Sequence, residues 1–376
     1  MPLTLTDRAF TTSPIPLVTA VEARMLGIPV RTQRYIRIRR GIYAERAAYS
    51  TLTPWDRYAA RVHAFARTHP DAVLCLESAA VVHGLPRFRQ TRWIHVLNSA
   101  RQASGRYGDV AVHASVDARD TELIGGIAVT SLVDTVVDLV RVLPPAQALA
   151  VADAAISQTQ GGEACLADLR DRGERQSSSR GRARMRLVWG LADGRAESPG
   201  ESVSRAVILW SGFEQPDLQR QFHYENATDR VDFFFASIGG IGESDGWQKY
   251  ALGSPEAAAV KLADEKRRED RLRRHGHPFA RWDLTDAWHV KPVVQALDAI
   301  HVPRVRPPSP ALLATVSDRS RQVPPLPAAA PLTPTLPRVD RGSIRTTRTR
   351  TNHLRAARGS RCTGWLADAP DASHCD

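Results

Sequence analysis

The spacing of apolar residues divides this chain into helical and extended stretches before any chemistry is considered. In TSLVDTVVDLVRVL, residues 130–143, apolar side chains recur at helical spacing behind a Thr or Ser cap, which predicts an amphipathic helix. The same spacing predicts a short helix over 17–26 that stops at Gly27 and Pro29, and a second over 54–68 with Tyr58, Val62 and Phe65 on one face. Further helices are expected in ESAAVVHGLP, ended by Gly84, over 200–212 with Val203, Val207 and Ile208, and over 255–275. Runs of β-branched and aromatic residues predict strands over 72–76, 92–98, 109–115, 126–130, 218–224, 230–236, 239–245 and 278–283. From residue 200 the order is helix, three strands, helix, strand. The fold class is therefore α/β (α+β), with helices covering a small sheet in its second half.

Near the start, RTQRYIRIRRGIYAE interleaves Tyr35, Ile36, Ile38, Ile42 and Tyr43 with Arg34, Arg37, Arg39 and Arg40. A two-strand ribbon turning near Gly41 would carry these guanidinium groups across a phosphate backbone, as the wing of a winged helix does. The bland reading is a solvated hairpin whose arginines keep an edge soluble. Fewer helices precede the ribbon than a full helix-turn-helix needs, so base reading is not expected of it. Residues 158–182 are rich in Gly, Ser and charge, with a weak helical piece at 166–170, and read as a mobile connection. From 303 onward the chain is rich in Pro and then in Arg, which predicts a disordered tail outside any compact domain. The expected organisation is a winged-helix-like region over 1–52, an α/β domain over 53–157, the connection over 158–182, a second α/β domain over 183–302 and the tail over 303–376.

The 376 residues carry a formal net charge of +11, and the isoelectric point is near 10.0. Such a balance favours polyanions, with DNA the expected partner. Cys75, Cys165, Cys362 and Cys375 lie far apart with no CxxC spacing, so neither a zinc knuckle nor a disulfide framework is indicated. No apolar run approaches the roughly 20 residues of a membrane span, and no signal-like N-terminus is present. The expectation is a soluble, cytoplasmic protein with no membrane partner.

The candidate chemistry lies in DRVDFFFASIGGIGESDGWQKY, residues 229–250. Asp232 sits in the first acidic strand, and Glu243 and Asp245 end the second. Residues i and i+2 share a strand face, so Glu243 and Asp245 are expected to aim together at the neighbourhood of Asp232. Converging carboxylates repel unless a cation lies between them, and Mg²⁺ or Mn²⁺ suits an all-oxygen set. Lys249 would hold a positive charge against a phosphate. The alternative is a polar turn with its carboxylates in water. His83, His95 and His113 fall on three separate elements and read as packing residues. Asp134 and Asp138 read as a solvated or Arg-paired helix face, and Trp282 and Trp288 as packing.

Taken in order, ESPGES at 197–202, PDLQ at 216–219, RVDF at 230–233, GESDGWQKY at 242–250 and EKRREDRLRRHG at 265–276 resemble the very-short-patch-repair branch of the PD-(D/E)XK nuclease superfamily. More narrowly, they resemble actinobacterial proteins that join such a domain to an N-terminal region of the AbiEi antitoxin kind. SAAVVHGL and VTSLVDTVVDL resemble the body of those antitoxins. The resemblance implies a nuclease-like αβββαβ core and a role in phage defence or a toxin–antitoxin system, with a cognate toxin as a further partner. It also implies that Asp232 and Glu243, with Asp245 beside them, hold a metal that Glu201 supports through a water. The family places a Lys two residues after the second acid, where this chain has Asp245, so its role would pass to Lys249 or to Lys266 on the following helix. Ser244 replaces the usual large apolar residue and is expected to weaken the packing of its strand. A basic helix over 182–191 would lay Arg182 and Arg184 along the duplex. Two functions follow: a metal-dependent endonuclease, or a catalytically silent DNA-binding antitoxin or autorepressor.

Overall fold

Three sheets are built from the expected strands and several that local pattern does not reveal. The structure, a computed structural model, describes residues 3–88, 91–98, 103–245 and 255–317. Among these residues no helix is long and apolar enough to cross a membrane.

The first sheet has three strands in the order Val18–Thr19, Ile42–Glu45, Tyr35–Arg39. The predicted ribbon is present and turns through Gly41 at φ +77°, a conformation glycine adopts without a Cβ penalty. Ile42 and Ala44 face inward onto Ala60 and Ala64 of the helix Pro54–Ala66. Before the ribbon, Ala20–Met25 is a helix of six residues, and 26–34 contain none. The Gly27 and Pro29 stops leave no room for a recognition helix.

The second sheet has six strands in the order Gly105–Tyr107, Val110–His113, Ile94–Leu97, Val73–Leu74, Ile127–Thr130, Thr121–Ile124. Tyr58, Val62 and Phe65 of Pro54–Ala66 pack with Leu74, Ile94 and Val129. The helix Leu76–His83 ends at Gly84, φ +72°, where a Cβ would stand 1.8 Å from the Leu5 carbonyl oxygen.

Behind this sheet run the helices Leu132–Val142, capped by Ser131, and Pro145–Ile156. The second is buried along eleven of its twelve residues and packs against the helix Pro199–Trp210. One continuous apolar cluster therefore extends from Val136 through Leu149 and Val207 to Phe233 and Trp282. Within it, Arg205 donates to Asp153 at 2.7 Å with both side chains buried.

Residues 158–182 are not the mobile connection expected from their composition. Leu166–Arg175 is a helix of ten residues with Leu169 fully buried. Arg172 forks onto Asp134 at 2.6 and 2.8 Å, and Arg141 donates to Gln176 and to the carbonyls of Ser178 and Arg180. Paired charge, which composition alone reads as solvated, here anchors the segment. The boundary expected at 303 is also too early. The Val305 amide bonds the Gly212 carbonyl, the Ser309 amide bonds that of Trp210, and Val316 is 1% exposed. The expected tail from 318 lies outside the described residues.

The third sheet orders its strands Asp217–Tyr224, Ala227–Phe235, Gly240–Asp245, Phe279–Asp283. The first three are antiparallel neighbours, and the last joins in parallel with Ile241 opposite Phe279. A parallel return needs a crossover, which the helix Pro255–Arg274 supplies. The order of elements expected from the sequence is thus observed, within a mixed α/β structure.

Candidate functional site

The acidic residues meet where helix Pro199–Trp210 crosses the third sheet. Ser198 caps this helix by accepting from the Glu201 amide at 3.2 Å, and Pro199 supplies a preorganised first turn. Glu201 in that turn is 6% exposed, and its Oε2 accepts from the Glu197 amide and from Gln219 Nε2, each at 2.9 Å. Gln219 reaches it because the strand is irregular there: φ is +56° between the pairs Leu218–Phe233 and Arg220–Val231. Burial first, and then the charge of Asp232, push the Glu201 carboxyl up to about 8, so it is protonated at neutral pH. Because Oε2 already accepts two hydrogen bonds, the proton belongs on Oε1.

Asp232 Oδ2 accepts from the Ser244 amide at 2.9 Å, across the strand pair that also carries Glu243. Glu243 is 3% exposed, and its Oε2 accepts from Arg268 Nη2 at 2.7 Å. The other terminal nitrogen of Arg268 donates to the Arg230 carbonyl. Burial alone would lower the Arg268 pKa, but the charge and hydrogen bond of Glu243 and the charge of Asp232 raise it.

Small residues permit this approach. A Cβ on Gly200 would stand 3.3 Å from Ser244 Oγ, and one on Gly242 would stand 2.6 Å from the Trp282 ring. Ser244 and Ser204 hydroxyls lie 3.2 Å apart, and Trp282 Nε1 donates to Ser204 at 2.8 Å. Ser244 therefore does not weaken its strand as expected; a larger residue would push away the helix that carries Glu201.

The charge of Asp232 acts on Glu201, and those of Asp232 and Glu243 both act on Arg268, whereas Asp245 is paired elsewhere. Its carboxylate is held by Arg281 through two bonds of 2.9 and 2.6 Å, and Arg281 also reaches Glu269 at 3.0 Å. Lys266 is exposed and pairs with Asp270 on its own helix at 3.1 Å. Lys249 lies outside the described residues. Arg268 escaped the sequence reading, since nothing in the alternating charges of its helix marks which arginine turns inward to a strand 25 residues away. Among the described residues no set of three or more His, Cys, Asp or Glu side chains stands ready to hold a metal ion. The donor chemistry nevertheless suits a hard cation, because Asp232 and Glu243 offer only oxygens and Mg²⁺ commonly takes one or two carboxylates plus waters.

The basic residues divide into surface and structural groups. Arg37 and Arg40 of the ribbon are exposed, and Arg34 is exposed but paired with Glu45 at 3.2 Å. Arg39 is withdrawn: it bonds Asp109, as Arg61 does at 3.3 Å, and lies over the Phe65 ring. Arg182 and Arg184 donate to the carbonyls of Gln176 and Arg141 at 2.6 and 2.9 Å, so they tie the chain together rather than project from it. Asp134 and Asp138 are Arg-paired, the latter by Arg119 at 2.9 and 3.0 Å. His83 is a packing residue bonded to the Thr130 carbonyl at 2.8 Å. His95 and His113 come together in a 2.9 Å hydrogen bond, with Glu77 3.4 Å from the far nitrogen of His95. That pairing bridges adjacent parallel strands and has no signal in sequence spacing.

No family model matches the chain. It is similar to two uncharacterized proteins from two strains of Mycobacterium tuberculosis, each 33% identical over 163 residues, covering 43% of this chain. The match spans 58% of the length of each of these relatives.

Proposed function

We propose that the chain is a metal-dependent DNA endonuclease of the PD-(D/E)XK kind, hydrolysing phosphodiester bonds. The observation that carries this reading is that, in a helix, three-strand, helix, strand unit, the charge of Asp232 acts on a protonated Glu201 and, together with Glu243, on Arg268. A scaffold without turnover has no need of a buried and a half-buried carboxylate near a third that must stay neutral. Asp232 and Glu243 would hold Mg²⁺ or Mn²⁺, which when bound supplies Lewis-acid polarisation of the scissile phosphate. Glu201 keeps its proton under the charge of Asp232 and is suited to exchange it as the charge around it changes. Arg268 supplies the positive charge that the family assigns to Lys. Exposed Arg37 and Arg40 on the ribbon would hold the DNA backbone without reading sequence.

The second reading, a silent DNA-binding antitoxin or autorepressor with a cognate toxin, is favoured by one observation. Where the family carries Lys, this chain has Asp245, and its carboxylate is closed by Arg281. Incubating supercoiled plasmid, linear duplex and single strands with Mg²⁺ or Mn²⁺, against EDTA and the Asp232→Ala variant, separates the two. Nicking that requires metal and is lost in Asp232→Ala, with salt-sensitive DNA binding retained, is the expected result. Binding without cleavage on every substrate would establish the second reading instead.

A further inference from the structure

Several arginines that stack on aromatic rings in this protein also pair with a carboxylate. Arg220 lies over Phe234 and bonds Asp217, Arg273 lies over Phe279 and bonds Glu269, and Arg304 lies over Phe213 and bonds Asp298. The arginines on Trp93 are held differently. The guanidinium groups of Arg92 and Arg106 lie 4.8 and 4.4 Å from its ring centroid, and among the described residues neither makes an ion pair or a side-chain hydrogen bond. Both arginines are exposed and the Trp93 ring is half-buried. Stacking on the ring orients each guanidinium plane and leaves its N–H edge for an anion. Trp93 also lies beside the ribbon. The Ile94 amide bonds the Asp109 carbonyl at 2.8 Å, and the Asp109 carboxylate takes both Arg39 of the ribbon and Arg61, the latter at 3.3 Å. Arg61 bonds the Arg92 carbonyl as well, at 2.9 Å. The carboxylate of this turn is thus shared by two arginines, and none is left for Arg92 or Arg106. Exposed Arg40 follows Arg39, so the ribbon tip and Trp93 flank Asp109.

We propose that Arg92, Trp93 and Arg106 form a binding site for single-stranded DNA, in which an unpaired base stacks on the outer face of a guanidinium held by Trp93 and the N–H edges take the flanking phosphates. Guanidinium edges match phosphate oxygens two at a time, and an Arg plane, like an aromatic ring, accepts a stacked base. An acidic protein segment would meet the N–H edges alone and make no use of two oriented planes. The bases of an intact duplex stack on one another, so their faces are closed to this site and a single strand is selected. The net charge of +11 favours such a polyanion. The site stands on the six-stranded sheet, whereas the acidic residues stand on the third sheet and the helices beside it. The inference takes from the nuclease reading only that the ribbon meets DNA, and it needs no cleavage.

The test is fluorescence anisotropy of the full chain in EDTA, with a labelled oligothymidylate, a strand of the same length made of abasic sites, and a duplex. The wild type should bind the thymidylate about tenfold more tightly than the abasic strand, the usual scale of one stacked base. The double variant Arg92→Ala, Arg106→Ala should lose most of that margin, while its binding to the abasic strand and the duplex falls only as far as two lost charges require. Arg106→Lys keeps the charge without the plane and should weaken the base preference while holding the salt dependence. Trp93→Leu should lose the preference and Trp93→Phe restore it, with a melting profile of each to show that it folds. Arg37→Ala on the ribbon should weaken all three probes alike. Equal affinity of the wild type for the thymidylate and the abasic strand, or a base preference that survives in the double variant, overturns the proposal, and metal-dependent plasmid nicking would then leave the nuclease reading intact. A base preference lost in the double variant, with no nicking by any form, would sink the nuclease reading and leave this site standing.

Discussion

Glu201→Gln tests the electrostatics of the acidic pocket without requiring turnover. The Glu201 carboxyl is moved from an ordinary value of 4.5 to about 8 in the folded chain, through burial and the charge of Asp232. A raised carboxyl pKa means that the native state keeps a proton the unfolded chain has already lost. Stability from this group is therefore fully present below pH 4.5 and is lost as pH rises through about 8. Raising the carboxyl from 4.5 to about 8 makes the loss on the order of a few kcal/mol across the window. Gln keeps an oxygen for the Glu197 amide and Gln219, places an amide where the protonated Oε1 stands, and has nothing to titrate. Urea unfolding in EDTA at pH 5, 7 and 8.5 is the assay. The variant should match the wild type at pH 5 and exceed it by several kcal/mol at pH 8.5. Parallel pH profiles for the two proteins would refute the argument, because they would mean that Glu201 ionises normally where it sits.

Other outcomes follow from the same geometry. His63 and His83 are held below the ordinary imidazole range chiefly by burial, while each bonds a backbone carbonyl. The unfolded chain gains their protons first, so stability should fall as pH drops below about 6.5, and the double Gln variant should flatten the acid limb of a melting profile. Ser244→Leu, which restores the residue type usual in the resembling family, should destabilise by about 1–3 kcal/mol through overpacking against Gly200, measured by urea midpoint. Arg37→Ala and Arg40→Ala should each weaken DNA binding and reduce its salt dependence by about one counterion, measured by titration at several salt concentrations. Arg39→Ala should instead lower the melting temperature, since its guanidinium lies on Phe65 and Asp109 rather than at the surface.

Much of the local structure was legible because local rules decide it. Helix Leu132–Val142 shows its period and its Ser131 cap, and the ribbon at Gly41 shows its turn. Helix Pro145–Ile156 shows neither, because a helix buried on nearly every side has no polar face to set its phase. Gly105–Tyr107 and Thr121–Ile124 are short edge strands at the two ends of the six-stranded sheet, and too exposed to alternate clearly. The segment over 158–182 was misread because composition counts charges without saying which are paired. Arg172 on Asp134 and Arg141 on the Ser178 and Arg180 carbonyls turn an apparently solvated stretch into a packed one.

The sequence by itself determined the order of helix and strands after residue 199 and the positions of Glu201, Asp232 and Glu243 within them, because periodicity, capping and turn chemistry act over a few residues. Only the tertiary structure decided which charges meet. Asp245 shares a strand face with Glu243, yet Arg281 from the parallel neighbour removes it from the pocket. Arg268 enters from a helix 25 residues on, and Gln219 is aimed at Glu201 by a left-handed backbone turn. The physical reason is that Coulombic pairing and desolvation depend on distance in space, which spacing along the chain does not specify.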